Sequence, residues 1–507
     1  MDGSRTRPEP LAVELRTISW IALLVMMPMV FYFTTEGTWN LGKQRVEARW
    51  SGRFFMAQAE AMTHGRFNVK REDIQSECFF GRGVRCYGYF GVTPSLLRLP
   101  VLGILGGLGS ALTPLYLGVA VLLAYWGALR LLERSLVEYI GPEAPRAMRL
   151  GYAAVGALAL GPGGTLLFLT RPAVYEEAAA WGVAFFLLTL DRVWAWYRSR
   201  DSRTLIFALV FAIASANARP TAVTGCGVLG VLVAVLWRFS GPHASKEEGT
   251  GGDPNPPVGP NRASRRVLAL AVCLSLAPGL TAAGVFWLKF KTPMPDLRLN
   301  EQVPEFPHWS AILRANGDRT GGLMFTPTEL VAYLRPDSVS MQRAWPWFDF
   351  RFPRERLLWV PPLPPGGAYV EPVASLTSTM PLPWTLNLIV VAWLGITAWK
   401  LATPPGRRLW LSRVPTLTLE QWIFAAGSMA SAAALTVLTV TTVGITNRYL
   451  GDFFAISVVG VALGHRVIVP LLRRRPILSA TAGLVAVLLV GWSVLVTLSL
   501  NTRLVFR

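Results

Sequence analysis

The sequence predicts an all-α polytopic membrane protein. Three observations carry this. Of its 507 residues, 52% are hydrophobic and only 16% are charged, against about 25% charged in soluble domains. The apolar residues gather in many separate runs of about 14–22 residues, the length that crosses a bilayer as a helix. Lipid offers the backbone no water, so such runs must be helical. The alternating pattern of a membrane β-barrel is absent.

The first run, Ile18–Phe33, follows Arg5, Arg7 and Arg16. That basic flank predicts a cytoplasmic N-terminus. No A-x-A-like cleavage site follows, so the run reads as an uncleaved helix. The loop 34–98 is then outside. Within it, Glu47–Met62 reads as a helix lying on the membrane. Trp50, Phe54, Ala57 and Ala61 share one side, and Glu47, Arg49, Arg53 and Glu60 lie mostly on others. Pro94–Ser110 is apolar but short and Gly-rich. The next run, Leu112–Leu129, ends at Arg130 and Arg134 and so ends inside. Parity then forbids Pro94–Ser110 from spanning alone. It reads as a juxtamembrane or re-entrant helix, with a tight hairpin as the alternative.

The same rule orders the later spans: Gly151–Thr170, Glu177–Leu190, Thr204–Ala218 and Ala222–Trp237, alternately outward and inward. A polar linker, 241–265, is rich in Gly, Pro, Asn and Ser and reads as disordered cytoplasmic chain. It divides an N-terminal membrane module, 1–240, from a C-terminal one, 266–507. The second module opens with Val267–Leu288. A long outer segment, 289–384, follows, and then Leu386–Trp399, Leu419–Val440, Phe453–Gly464 and Ile477–Leu498. The total is about eleven spans, with the C-terminus outside. Each run is trimmed at its first basic residue, so real helices should be longer.

The net charge of +19 would suggest nucleic acid in a soluble protein. Here it reflects cytoplasmic loops rich in Lys and Arg, and no nucleic-acid partner is expected. Short cytoplasmic loops carry about four basic residues each. Three short outer turns carry one arginine apiece: Arg171, Arg219 and Arg448. Each stands against the charge bias, beside polar neighbours: Tyr175, Glu176 and Glu177 after Arg171; Tyr449 and Asp452 after Arg448. A guanidinium offers a planar fork to phosphate oxygens and keeps its charge near lipid. The bland alternative is that each arginine snorkels or pairs with a local carboxylate. Together they predict a shared anionic ligand at the outer face.

Of four cysteines, Cys226 and Cys273 lie in apolar runs. Cys78 and Cys86 share the first outer loop, without the further ligands a zinc site needs, so a disulfide is expected in an oxidising compartment. The loop's carboxylates include Glu36, Glu47, Glu60, Glu72, Asp73 and Glu77. A general base must hold one such group beside a hydroxyl. Glu77 gains weight because it abuts Cys78 and the aromatic group Phe79, Phe80, Tyr87, Tyr89 and Phe90. In Met341–Trp359 arginines alternate with aromatics. Outside a membrane this reads as an interface belt, with sugar stacking on Trp345, Trp347 or Trp359 as the alternative. No Walker loop, no GxGxxG after a strand and no HExxH is present, and no metal or cofactor is predicted.

Five stretches resemble multi-spanning GT-C-fold glycosyltransferases of bacteria, of the uncharacterised actinobacterial type. They are FFMAQAEAMTHGRFNV (54–69), CYGYFGVTPSLLRLP (86–100), RPAVYEEAAAWG (171–182), ANARPTAV (216–223) and NRYLGDF (447–453). The resemblance implies a bacterial plasma-membrane enzyme with an outward-facing site. Its donor would be a polyprenyl-phosphate-linked sugar, its acceptor an envelope glycan, lipid or protein, and membrane lipids its surroundings. It implies juxtamembrane helices and an acidic catalytic residue in the first outer loop. Arg448, Arg219 and Arg171 take the donor phosphate, with Tyr175 and Tyr449 as supporting donors and Glu176, Asp452 and Tyr89 beside them. One departure stands out. Many relatives have an aspartate just before the first of these motifs, where this chain has Trp50, Ser51 and Gly52. Glu77 is the replacement candidate, with Glu47 and Asp73 behind it. Rival readings are a flippase or transporter of a lipid-linked anion, which should show paired repeats and broken helices, and a non-catalytic scaffold.

Overall fold

Apolar runs become helices because a helix satisfies its own backbone. The structure, a computed structural model, describes residues 10–40, 52–80, 85–105, 112–139, 146–169, 173–239, 262–294, 307–315, 317, 321–350, 369–370, 373–403, 417–441, 444–445, 449–473 and 475–505.

After α1 (Pro10–Thr34) the first loop holds only short pieces. These are α2 (Phe54–Thr63), α3 (Arg71–Ile74), the strands β1 (Phe79–Phe80) and β2 (Cys86–Tyr87), α4 (Thr93–Leu96) and α5 (Leu102–Leu105). Then come α6 (Leu112–Tyr139), α7 (Arg146–Leu160), α8 (Val174–Ser199), α9 (Ser202–Ala216), α10 (Ala222–Phe239) and α11 (Arg262–Phe290). The second long loop carries α12 (Pro307–Ala315), α13 (Thr326–Leu334), the hairpin β3 (Val339–Met341) and β4 (Phe348–Phe350), β5 (Tyr369–Val370) and α14 (Leu376–Thr379). The chain ends with α15 (Pro381–Ala402), α16 (Leu419–Val437), β6 (Gly444–Ile445), α17 (Leu450–Leu472) and α18 (Pro476–Val505).

Nine of the described helices are long and apolar enough to cross a membrane: α1, α6, α7 with its 3-10 extension to Leu169, α8, α10, α11, α15, α17 and α18. The two remaining predicted spans correspond to α9 and α16. α9 has only 15 residues, about 22 Å of helix. α16 is diluted by Glu420, Gln421 and its Gly and Ser residues. Pro94–Ser110 forms no continuous helix in its described part: α4, a 3-10 turn (Leu99–Val101) and α5 break it up. Residues 241–261 of the expected linker lie outside the described residues, and its last four, Arg262–Arg265, belong to α11 instead.

Helix α8 is the centre. Its apolar window is 89% buried inside the protein, against 22% for α1 and α11, which therefore form the rim that faces lipid. Phe424 of α16 stacks on Tyr197 of α8 at 4.3 Å and meets Trp194 edge-on at 5.0 Å. The helical hairpin α8–α9 turns at Arg200, in the left-handed region (φ 56°), and Asp201 caps α9 by accepting from the Arg203 N–H at 2.9 Å. At that end of the bundle, buried Asp191 takes ion pairs from Arg134 and Arg192, and Arg200 pairs with Glu420. The two long loops sit at the other end.

Candidate functional site

The first loop is built around a small disulfide-closed hairpin. β1 and β2 pair antiparallel, Phe79 opposite Tyr87, and the Cys78–Cys86 disulfide joins them with 5.2 Å between Cα atoms. Rings then stack outward from it: Tyr89 on Phe90 at 4.3 Å, Phe54 on Phe90 at 5.6 Å, and Phe90 edge-on to Tyr175 at 5.1 Å. Tyr175 lies in the first turn of α8, so this cluster docks the loop onto the central helix.

This corrects the expected surface helix at Glu47–Met62. Within its described part the helix starts at Phe54, as α2, and Phe54, Phe55, Met56, Gln58, Ala59 and Ala61 are all buried. Such burial covers most sides of the helix, because α4 packs over it. Gln58 accepts from Ser95 at 2.8 Å. An isolated amphipathic face was the wrong inference because the cover comes from later in the chain.

Behind the cluster lies a pair that no single motif reveals. Arg98 donates to both oxygens of Glu177, at 2.7 and 2.9 Å, and neither side chain is exposed. The guanidinium also donates to Pro94 O at 2.9 Å and lies over the Tyr116 ring at 4.2 Å. Glu177 sits in the first turn of α8, where a carboxylate suits the helix dipole.

The loop next meets the α9–α10 turn. Gly91 abuts Asn217 so closely that a Cβ would stand 1.8 Å from the Asn217 carbonyl oxygen. That same oxygen accepts from Thr93 N at 2.9 Å. Two residues on, Arg219 grips Asp452, in the first turn of α17, with Nε–Oδ1 2.6 Å and Nη2–Oδ2 2.8 Å. Thr439 also donates to Asp452, and the Tyr449 ring lies 5.6 Å from the Arg219 guanidinium carbon. Tyr89, half-buried, lies within electrostatic reach of Arg219. From α11, Lys289 donates to the carbonyls of Gly88 (3.1 Å) and Phe90 (2.7 Å). Ends of three helices, α8, α9 and α11, thus meet the segment 86–93, and α17 joins the same end through Arg219.

The second long loop covers the same end. Tyr333 of α13 packs on Phe453, next to Asp452, at 5.3 Å. β5 pairs in parallel with β6. The β3–β4 hairpin leans on α18 through Phe348 and Trp492 at 5.0 Å, leaving Trp345 and Trp347 exposed.

The predicted site residues divide as follows. Glu47, Arg171 and Arg448, and also Trp359, lie outside the described residues. Glu77 is buried at the end of a 3-10 turn, directly before Cys78. Asp73 is buried in α3 with Arg53 Nε at 3.6 Å; burial pushes its pKa up and Arg53 opposes this. Tyr175 and Glu176 are buried in the first turn of α8. Arg219, expected as an open phosphate ligand, gives two of its donors to Asp452. The pairing follows from burial, because a guanidinium this enclosed needs a counter-charge. Among the described residues, Nη1 has no hydrogen-bond partner. Arg98 and Lys289 were missed. Their signal was a lone basic residue in an otherwise apolar stretch. Among the described residues no three His, Cys, Asp or Glu side chains converge to hold a metal ion.

No family model matches the chain, and no curated protein does. Among solved structures it is similar to the apo crystal structure of the Archaeoglobus fulgidus oligosaccharyltransferase. The two are 14% identical, with a TM-score of 0.45, over 96% of this chain and 56% of that one. The chain thus spans little more than half of that structure's length, and at this TM-score the likeness bears on neither mechanism nor substrate.

What the arrangement brings together is a buried arginine–aspartate pair and a carboxylate-bearing loop. Arg219 is locked in orientation by Asp452, with one arm unbonded among the described residues. Tyr449 and Tyr89 bring hydroxyls to the same junction, and buried acids stand in the loop that docks there.

Proposed function

We propose that the chain is a GT-C-like integral membrane glycosyltransferase of a bacterial plasma membrane. It moves a sugar from a polyprenyl phosphate to an envelope glycan, lipid or protein on the outer side. The observation that supports this most is Arg219, oriented by Asp452 where the α9–α10 turn meets α17, with one arm unbonded among the described residues.

In this reading the acceptor oxygen bonds to the anomeric carbon as the bond to the donor phosphate breaks. The acceptor proton passes to a loop carboxylate, Glu77 first, with Asp73 and Glu47 behind it. Polyprenyl phosphate departs carrying the added negative charge. Arg219, with Arg448 and Arg171 from the neighbouring turns, stabilises that charge, and Tyr175 and Tyr449 donate to its oxygens. Such contacts strengthen where water is excluded. The role of Asp452 is to fix the guanidinium plane before the donor arrives, so less reorganisation is left for the reaction.

The test uses membrane vesicles holding the full chain and radiolabelled polyprenyl-phospho-sugars. The wild type should transfer label to an endogenous acceptor, and Glu77→Gln and Arg448→Ala should each lose it by about 100-fold or more. Undiminished transfer by Glu77→Gln would remove that residue as the base. No transfer from any donor in the panel would overturn the reading.

A further inference from the structure

Lys289 is the last basic residue of α11 and is only 2% exposed. A buried ammonium ordinarily answers to a carboxylate. Here its partners are two backbone carbonyls, Gly88 O and Phe90 O, one residue apart on a different element. No ion pair joins it among the described residues.

Carbonyls of residues i and i+2 converge on one donor only if the chain curls between them. The residue at the crest of that curl is Tyr89. Its ring is then held on both sides, by Phe90 at 4.3 Å and by Phe79 at 5.2 Å. The next residue, Gly91, is pressed against Asn217, two positions before Arg219. Two anchors therefore fix this stretch: Lys289, which holds the carbonyls on both sides of Tyr89, and the Asn217 backbone against Gly91. Gly88 adds a third constraint, since a Cβ there would lie 2.3 Å from Phe54 Cζ.

We propose that Lys289 is a positioning residue. It clamps the Gly88–Phe90 backbone in the curl that presents Tyr89 to Arg219. The inference rests on the glycosyltransferase reading for what Tyr89 is presented to, namely the donor phosphate. It does not rest on that reading for the clamp itself.

The experiment uses the full chain in phospholipid nanodiscs and the variants Lys289→Met, Lys289→Arg and Tyr89→Phe. Methionine keeps the length and removes the donor; arginine keeps charge and donors. Hydrogen exchange is read first. Lys289→Met should speed exchange of the amides in 86–93 by about tenfold, with protection across α8 unchanged, and Lys289→Arg should stay within about threefold of wild type. Unchanged exchange at 86–93, or general loss of protection in both variants, overturns the clamp. Transfer from a panel of polyprenyl-phospho-hexoses and -pentoses is read second. Lys289→Met and Tyr89→Phe should each lower kcat by about 10–100-fold with KM moved less than about threefold. The double variant should be no worse than the weaker single one. Multiplicative losses would show that Lys289 does not act through Tyr89 and overturn that link. If the wild type transfers none of the sugars, the enzyme reading falls, and the exchange result alone decides the clamp.

Discussion

Arg98 and Glu177 meet edge to edge inside the protein, at 2.7 and 2.9 Å, with neither side chain exposed and 79 residues between them. The pair ties the end of the first loop to the start of the central helix. Removing one partner strands a buried charge, which costs about 3–5 kcal/mol. Arg98→Met and Glu177→Leu should each destabilise the protein by about that amount. Combined, they should cost less than the sum, because neither charge is then left alone. Chemical unfolding in detergent micelles checks this; strict additivity would mean that the pair is not coupled.

Arg219 and Asp452 are also paired, but there the prediction concerns activity. A lysine cannot reproduce the planar fork. Arg219→Lys should therefore lower transfer by about 10–100-fold with a small change in stability. The swap Arg219→Asp with Asp452→Arg separates structure from function. It should recover most of the thermal stability lost by Arg219→Asp alone, and transfer should stay lost, because the cation has moved to α17. Recovery of transfer together with stability would show that the pair is only a structural tie.

Gly91 is where the loop touches the α9–α10 turn. An added methyl would stand 1.8 Å from the Asn217 carbonyl oxygen, which is backbone and has no rotamer to escape into. Gly91→Ala should cost about 1–3 kcal/mol or more and raise exchange at Thr93, whose amide bonds that oxygen. Gly284→Ala serves as the control, since nothing lies within 4 Å of a Cβ there. It should be neutral or slightly stabilising.

Much of the helix layout was legible because lipid forces apolar runs into helices. Their ends were less so. Glu177–Leu190 was trimmed at charged residues, and the helix runs from Val174 to Ser199 because Glu177 and Asp191 are paired, not solvated. Arg219 and Asp452 each stood in a motif worth naming. That they bond each other across 233 residues depends on how the helices pack, which no local pattern encodes. Arg98 and Lys289 were hidden for a related reason. A lone basic residue in apolar sequence looks like a boundary marker, and only the fold shows whether it is buried. The α2 helix failed in the opposite direction: a stripe of apolar residues suggested lipid, while protein covers it.

Glu329 gives the stability of this end of the molecule a dependence on pH. It lies on α13, outside the membrane-spanning helices, and is 1% exposed. Burial pushes its pKa up to about 9, and the Tyr333 hydroxyl opposes this. The folded state therefore binds a proton that the unfolded chain, near the ordinary value of 4.5, releases. Stability from this group is complete below the unfolded pKa and is lost as pH rises toward the folded one. Wild-type protein should melt at progressively lower temperature from pH 5 to pH 9, and Glu329→Gln should flatten that slope by removing the titration. Hydrogen exchange of α13 should follow the same trend, because that helix packs over Phe453 through Tyr333. A melting profile equally steep in Glu329→Gln would assign the pH dependence to other groups.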